Sequence, residues 1–178
     1  MHLTPYAPDQ SAEIKNLFVK VFSDSGGESE GILVGNLAHA LMTETDEQDI
    51  YGFAAIERQK IIGCMFFSRL FFESDVCAFI LSPVAVHTDR HGKGIGRKLI
   101  QYGIQILKSK RVELIMTYGD INFYSKVGFK PVSEDVVKAP FQLSRPEGWL
   151  GQSLISDPIP PLTGRPFCVK ALNNPRYW

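Results

Sequence analysis

Apolar residues recur at helical spacing near the start of the chain. One stripe falls at positions i, i+3, i+4, i+7 and i+8, which predicts an amphipathic helix. Its members are Ile14, Leu17, Phe18, Val21 and Phe22. The polar, glycine-containing segment 23–31 breaks this pattern and is predicted to be a loop. A second, shorter helix is then predicted around Leu33, Leu37 and Leu41.

The pattern changes after residue 48 to long apolar runs that are rich in β-branched and aromatic residues. The runs IYGFAAIE, KIIGCMFFSRLFF and VCAFILSPVAV cover residues 50–57, 60–72 and 76–86, with short polar turns between them. They predict three antiparallel strands in a meander. Pro83 stands within the third run and can donate no backbone hydrogen bond. Pairing with a neighbouring strand should therefore weaken or open at that point.

Helix and strand patterns alternate in the next part of the chain. A helix is predicted to begin after the glycines of the segment VHTDRHGKGIGRKLI (86–100), and VELIMTY (112–118) follows as a strand. A short helix over 121–127 is expected to be capped by Asp120 and stopped by Gly128, before FKPV resumes extended structure. The predicted stripe of the first of these helices is Ile95, Leu99, Tyr102 and Ile106. The order β-β-β-α-β-α-β predicts an α+β fold with a mixed sheet, in which the first helix joins two parallel strands.

The tail, residues 139–178, is rich in proline and has two strand-like pieces, GWLGQSLI and PFCVKAL. It is expected to cover the core as an edge. Because the chain has no internal repeat and no low-complexity linker, residues 1–178 are predicted to form a single domain.

Composition excludes several classes of function. The 19 basic residues equal the 19 acidic ones, so no overall field favours nucleic acid or an anionic membrane. Cys64, Cys77 and Cys168 show no Cys-x-x-Cys spacing, and no apolar stretch is long enough to span a membrane. We therefore expect a reduced, soluble, cytoplasmic protein. No His, Cys or Asp cluster has metal-site spacing, so no metal is expected.

The glycine-rich segment is the first candidate for chemistry. Gly92, Gly94 and Gly96 follow a strand and precede a helix, where unpaired backbone N–H groups and the helix dipole favour an anion. Arg90, Lys93, Arg97 and Lys98 add positive charge around this turn. The spacing matches neither a Walker A loop nor a dinucleotide-binding fingerprint. A phosphate site and a plain tight connection both remain open from the glycines alone.

A second motif separates these alternatives. The run from His91 to Gly96 resembles the turn signature Gln/Arg-x-x-Gly-x-Gly/Ala of the GNAT superfamily of acyl-CoA N-acyltransferases, except that His91 replaces Gln or Arg. The segment NFYSKVGF resembles the second landmark of that family, through Asn122, Tyr124, Gly128 and Phe129. The resemblance covers residues 48–132, and the tail is similar to that of an uncharacterised bacterial branch.

The resemblance implies a sheet that opens at the cofactor site, with acetyl-CoA as acyl donor. The pantetheine arm would lie between the strands FILSPVAV and VELIMTY, and residues 92–97 would hold the pyrophosphate. The main-chain N–H of Val84 would stabilise the oxyanion, and Tyr124 would act as general acid. The implied cofactor-binding residues are Val84, Ala85, Val86, His91, Gly92, Lys93, Gly94, Ile95, Gly96, Arg97, Asn122 and Tyr124.

The general base and the acceptor are less well defined. The glutamate that many family members carry on the strand before the glycine turn is missing here, which leaves Glu28, Glu30 and His87 as candidates. The expected activity is direct acetyl transfer to a primary amine, on a small molecule or on a peptide or protein. The alternatives are a non-catalytic acyl-CoA sensor and a phosphate-anion binder. The oligomeric state is open, a homodimer included.

Overall fold

A computed structural model describes all residues, 1–178, and begins with a short strand, β1, followed by two adjacent helices. β1 spans His2–Pro5, α1 spans Ser11–Gly26 and α2 spans Glu28–Glu44. Only Gly27, at φ 93°, separates the helices, so the predicted loop over 23–31 is wrong and α2 is the longer helix. The polar residues of that segment continue the solvent-facing sides of the helices, and one glycine supplies the turn. β1 was missed because four residues carry no readable alternation.

The sheet contains seven further strands and, as predicted, belongs to an α+β fold. Their bounds are β2 Ile50–Glu57, β3 Lys60–Phe71, β4 Ala78–Val86, β5 Leu114–Tyr118, β6 Lys130–Pro131, β7 Trp149–Ser153 and β8 Phe167–Cys168. The spatial order is β1-β2-β3-β4-β5-β7-β6, with β8 beside β3. All pairs are antiparallel except β4 and β5, which confirms the predicted meander and the parallel pair.

The parallel pair opens where Pro83 interrupts β4. The residues of β4 that pair with β5 run from Ala78 to Leu81, and the last pair is Leu81 with Thr117. The Thr117 hydroxyl donates to the Leu81 carbonyl at 2.9 Å and so closes the paired part. Between the rungs Met65–Val84 and Phe67–Leu81, β4 has one residue more than β3, which makes a bulge. The second half of β4 therefore stays on β3 and leaves β5, as the sequence predicted.

Helices cover both faces of the sheet. α1 and α2 pack on one face, and α3, which spans Ile95–Ser109, packs on the other. The predicted stripe of α3 is partly wrong, because Tyr102 and Ile106 are only half-buried. The side chains that reach the core are Ile95, Leu99, Ile100, Ile104 and Leu107. The short helix α4, Ile121–Tyr124, has Asp120 as its cap and is followed by Gly128 at φ 95°, both as predicted.

The tail is built into the sheet, and the expectation that it forms an edge is wrong for β7, although β8 pairs only with β3. β7 lies between β5 and β6, and the two-residue strand β6 forms the edge. Trp149 is buried at 1% exposure and donates from Nε1 to the Val137 carbonyl at 2.8 Å. The difference is non-local: Trp149 and Leu150 of β7 are buried in the core, whereas both residues of β6 are exposed.

Replacing Trp149 by Phe is expected to lower the free energy of unfolding by about 2–4 kcal/mol. The variant loses buried volume and leaves the Val137 carbonyl without its donor. Urea unfolding followed by circular dichroism measures the change. Phe167→Leu, at a side chain that is 77% exposed, is the matched control and should change stability by less than about 0.5 kcal/mol. Equal effects of both substitutions would contradict this account of the tail.

None of the helices is long and apolar enough to cross a membrane.

Candidate active site

A cavity of about 640 Å³ lies where β4 leaves β5. The glycine-rich turn closes one end of this cavity, and Tyr124 forms part of its wall. Val21 and Phe22, from the last turns of α1, form an apolar wall, and Val84 and Val86 of β4 contribute another. The opening of the sheet thus makes a continuous space beside the turn.

The backbone of β4 offers hydrogen-bonding groups to this cavity. His87 donates its main-chain N–H to the Ile62 carbonyl of β3 at 2.8 Å. Hydrogen-bonded and non-bonded pairs alternate along an antiparallel ladder, so the main-chain groups of Val84 and Val86 point away from β3. They face the gap that β5 has left. Ala85 is buried and does not line the cavity.

Two of the three glycines in the turn are required by backbone conformation. Gly92 and Gly94 have φ angles of 75° and 73°, a region that costs other residues about 1–2 kcal/mol. A Cβ at Gly92 would meet no protein atom within 4 Å, so the backbone is open to the cavity there. Gly96 serves packing, because its Cβ would lie 3.2 Å from the ring of Phe123. The first turn of α3 presents its unpaired N–H groups at this end of the cavity.

Cationic side chains surround the turn, but they are not all the predicted ones. Arg90 and Arg97 line the cavity, and Arg90 pairs with Glu57 at 2.6 Å. Lys126 also lines it and was missed by the sequence reading, although it stands only two residues after Tyr124. Lys93 does not line the cavity, and its Nζ lies 3.4 Å from the Asp89 carbonyl.

His91, the unusual first residue of the turn motif, contacts the cavity wall. Its Nε2 lies 2.7 Å from the carbonyl oxygen of Val86. Because a carbonyl can only accept, the ring nitrogen donates in this bond. The side chain therefore ties the turn to the end of β4.

Tyr124 is held by aromatic neighbours and by a glycine. Its ring packs edge-on against Phe123 and Phe129, with centroid distances of 5.0 and 5.7 Å. A Cβ at Gly119 would lie 2.7 Å from the tyrosine ring, so only glycine lets the ring sit there. Burial raises the pKa of the Tyr124 phenol, and a hydrogen bond with Thr117 opposes this with a smaller effect. The phenol therefore remains a proton donor at neutral and mildly alkaline pH.

The predicted base candidates lie outside the cavity. Glu28 and Glu30 are exposed in the first turn of α2, and His87 accepts a hydrogen bond from the Asp89 N–H at 3.3 Å. None of the three lines the cavity. Asp120 is the carboxylate that does, although the sequence reading gave it only the capping role.

Asp120 and Asn122 bond to one another. The Oδ1 atom of Asp120 accepts from the backbone N–H of Asn122 at 2.9 Å and from its side-chain amide at 3.0 Å. Asn122 does not line the cavity, so its amide serves the cap. The other oxygen of Asp120 accepts no hydrogen bond from the protein.

No group of three or more His, Cys, Asp or Glu side chains lies close enough to hold a metal ion.

A family model described as "Acetyltransferase (GNAT) domain" matches residues 39–131, which is more than half of the chain. The chain therefore belongs to the GNAT acetyltransferase family. It is an acyl-CoA-dependent acetyltransferase with acetyl-CoA as the acyl donor, as the sequence motifs predicted.

Individual relatives match nearly the whole chain. An uncharacterized N-acetyltransferase, YjhQ of Escherichia coli (strain K12), is 27% identical over 176 residues, covering 94% of this chain and 93% of the relative. The crystal structure of the GNAT family N-acetyltransferase YhbS from Escherichia coli, in complex with CoA, has a TM-score of 0.84 at 20% identity. This match covers 97% of the present chain and 92% of the YhbS chain. A GNAT family acetyltransferase from Brucella melitensis, in complex with acetyl-CoA, has a TM-score of 0.70 at 21% identity, with 94% and 93% covered. The fold therefore continues through the tail.

Proposed function

We propose that this protein transfers the acetyl group of acetyl-CoA to the primary amine of a small molecule by direct attack. One observation carries the proposal. The half-buried Tyr124 and the backbone groups of Val84 and Val86 on β4 line the same cavity as the glycine turn. A proton donor, an oxyanion site and an anion site are thus within reach of one extended thioester.

The turn and the strand would bind the two ends of the donor. The N–H groups over residues 92–97 suit the pyrophosphate, because Gly92 lets an anion approach the main chain. Arg90, Arg97 and Lys126 supply positive charge that attracts the phosphates. The backbone groups of Val84 and Val86 would pair with the pantetheine arm, and His91 would keep the Val86 carbonyl in place.

Five further residues that the family resemblance implies in cofactor binding divide into two groups. Ile95 and Gly96 line the cavity and belong to the proposed site. Ala85, Lys93 and Asn122 do not line it, so a role for them rests on the resemblance alone.

The residues would divide the chemistry as follows. The amine nitrogen forms a bond to the acyl carbon, and the Val84 N–H stabilises the negative oxygen. When the C–S bond breaks, Tyr124 gives its proton to the sulfur, whose thiol has an ordinary pKa near 8.5. The amine loses its proton to water or to Asp120, the carboxylate on the cavity wall. The apolar wall from α1 keeps bulk water from the thioester.

The pH dependence follows from the raised pKa of Tyr124. A general acid fails when it loses its proton, so activity should fall only as pH rises through the folded-state pKa, which lies above the usual value of about 10. Under single-turnover conditions, we expect no alkaline decline up to about pH 10. If activity declines around a midpoint below pH 9 and the same decline occurs in Tyr124→Phe, the decline is caused by a titrating group other than Tyr124.

Thermal stability with acetyl-CoA, desulfo-CoA and ATP tests the donor site directly. Ligand at 100 times its dissociation constant should stabilise the fold by about 2.7 kcal/mol. We expect acetyl-CoA and desulfo-CoA to stabilise and ATP to have little effect, because ATP lacks the pantetheine arm. An equal shift with ATP would reduce the site to a general phosphate binder. Thiol release with a panel of amines then measures transfer.

A further inference from the structure

A second cavity, of about 460 Å³, lies beyond the carboxyl end of β5. Residues 118–121 form one side of it, and the segment 144–148 forms the other. Gly119 donates its backbone N–H to the Gly148 carbonyl at 2.9 Å, which joins the two sides. We refer to this space as the β5-end cavity.

The segment 144–148 is fixed in place although it is a connection. The Tyr118 hydroxyl accepts from the backbone N–H of Arg145 at 2.7 Å and lies 2.9 Å from the Ser144 hydroxyl. The Tyr118 ring is stacked on Trp178, a buried residue of the tail, with an interplanar angle of 18°. The cavity therefore has a defined backbone on both sides.

Exposed charged groups of both signs line this cavity and have no ion-pair partner in the protein. Asp120, Arg145 and Glu147 all line it, and none takes part in any of the salt bridges of the structure. The Arg145 guanidinium accounts for the positive charge, and the two carboxylates account for the negative charge. A ligand that carries one charge of each sign would satisfy this set better than a simple cation would.

The β5-end cavity adjoins the proposed reaction centre. Asp120 lines both cavities and so forms part of the wall between them. Gly119, on the wall of the β5-end cavity, has the Tyr124 ring against its Cα. A molecule held beyond β5 would therefore place its amine beside Asp120, the residue that also lines the cavity of the thioester.

We propose that the β5-end cavity binds the acceptor, and that the acceptor is a small amine that also carries a carboxylate. Arg145 binds the carboxylate in a paired, charge-assisted contact, and Asp120 and Glu147 hold the ammonium group until it loses its proton. A volume of about 460 Å³ is more than enough for a molecule of amino-acid size. This inference rests on the proposed function, because it names the substrate class of the same reaction.

Matched pairs of acid and amide test the inference. β-Alanine is compared with β-alaninamide, and lysine with lysinamide, by thiol release at saturating acetyl-CoA. The wild type should prefer each acid, and Arg145→Gln should lower the acid-to-amide ratio of kcat/KM by about 10- to 100-fold. Comparing this ratio between wild type and variant cancels the different basicity of the paired amines. Glu147→Gln should lower kcat/KM for acid and amide alike.

Control variants separate this effect from a general loss. Arg145→Lys keeps the charge without the paired geometry and should retain part of the acid preference. Lys110→Gln removes an exposed charge at the end of α3, outside both cavities, and should leave the ratio unchanged. Unchanged stabilisation by acetyl-CoA in Arg145→Gln would show that the variant is folded and that its donor site is intact.

The outcomes also separate this inference from the proposed function. If acetyl-CoA neither binds nor transfers its acetyl group, both fail. If transfer occurs but amides, ethanolamine or an internal peptide lysine react as well as the acids, only the acceptor class is wrong. An acid preference that survives Arg145→Gln overturns the role of Arg145 and with it this inference. If phosphoethanolamine is preferred over both carboxylic acids, the proposed acceptor class is also wrong, because Arg145 then binds a phosphate and not a carboxylate.

Discussion

Tyr124→Phe is expected to lower kcat for acetyl transfer by about 10²- to 10⁴-fold, the usual contribution of a general acid. The affinity for acetyl-CoA should change little, because the ring remains in its contacts with Phe123 and Phe129. The substitution removes only the oxygen that bonds with Thr117. Single-turnover rates at saturating acetyl-CoA, with binding measured separately, give the two quantities.

The matched control is Tyr102→Phe, on α3. This tyrosine is also half-buried and packs edge-on against Phe53 at 5.5 Å, but it does not line the cavity. It should retain the wild-type rate. A Tyr124→Phe variant that binds and transfers as well as the wild type would remove Tyr124 from the mechanism. A wild type that binds acetyl-CoA but transfers to no amine would favour the sensor alternative.

Gly92→Ala should weaken acetyl-CoA binding by about 10- to 100-fold. The methyl group would meet no protein atom, so it would project into the space that a phosphate needs in order to reach the backbone N–H groups. The left-handed φ of 75° adds about 1–2 kcal/mol of strain to the folded state. Isothermal titration with acetyl-CoA measures the affinity, and urea unfolding measures the strain.

Gly27→Ala separates strain from obstruction. Gly27 also has a positive φ, 93°, and free space around its Cβ position, but it lies between α1 and α2 and does not line the cavity. It should destabilise the fold at least as much as Gly92→Ala does and leave acetyl-CoA affinity unchanged. If both variants bind equally weakly, the effect of Gly92→Ala is strain alone, and the turn is not the phosphate site.

Features that depend on neighbours along the chain could be predicted. The runs that form β2, β3 and β4 are apolar because each strand is largely buried, so their bounds could be read almost to the residue. Pro83 predicted the opening because the missing N–H is a property of one residue. The cap at Asp120 and the stop at Gly128 are equally local.

Features that depend on distant partners could not be predicted. The place of β7 between β5 and β6 is decided by which strand Trp149 can pack beside, and no spacing in the tail encodes that choice. The buried face of α3 was predicted correctly at Ile95 and Leu99 but not at Tyr102 and Ile106, because the sheet, not the helix, determines which positions are covered.

The candidate site divides in the same way. The turn and Tyr124 could be identified from their motifs. Lys126 and Arg145 were not identified because isolated cations in a sequence are usually solvated. Glu28 and Glu30 were assigned to a loop that a single glycine replaces, and their role as base stays a prediction.

The position of β7 also bears on how the chain is completed during synthesis. β5 sits beside the opening in the sheet, and its other edge is paired only by residues 149–153. Until the ribosome has released that stretch, β5 has an unpaired edge, the kind of surface that recruits other chains. The strand that carries Thr117 and leads to Tyr124 is thus completed only by β7, which emerges after both α4 and β6. A nascent chain that stops before residue 149 would carry the two family motifs in a sheet that lacks its closing strand.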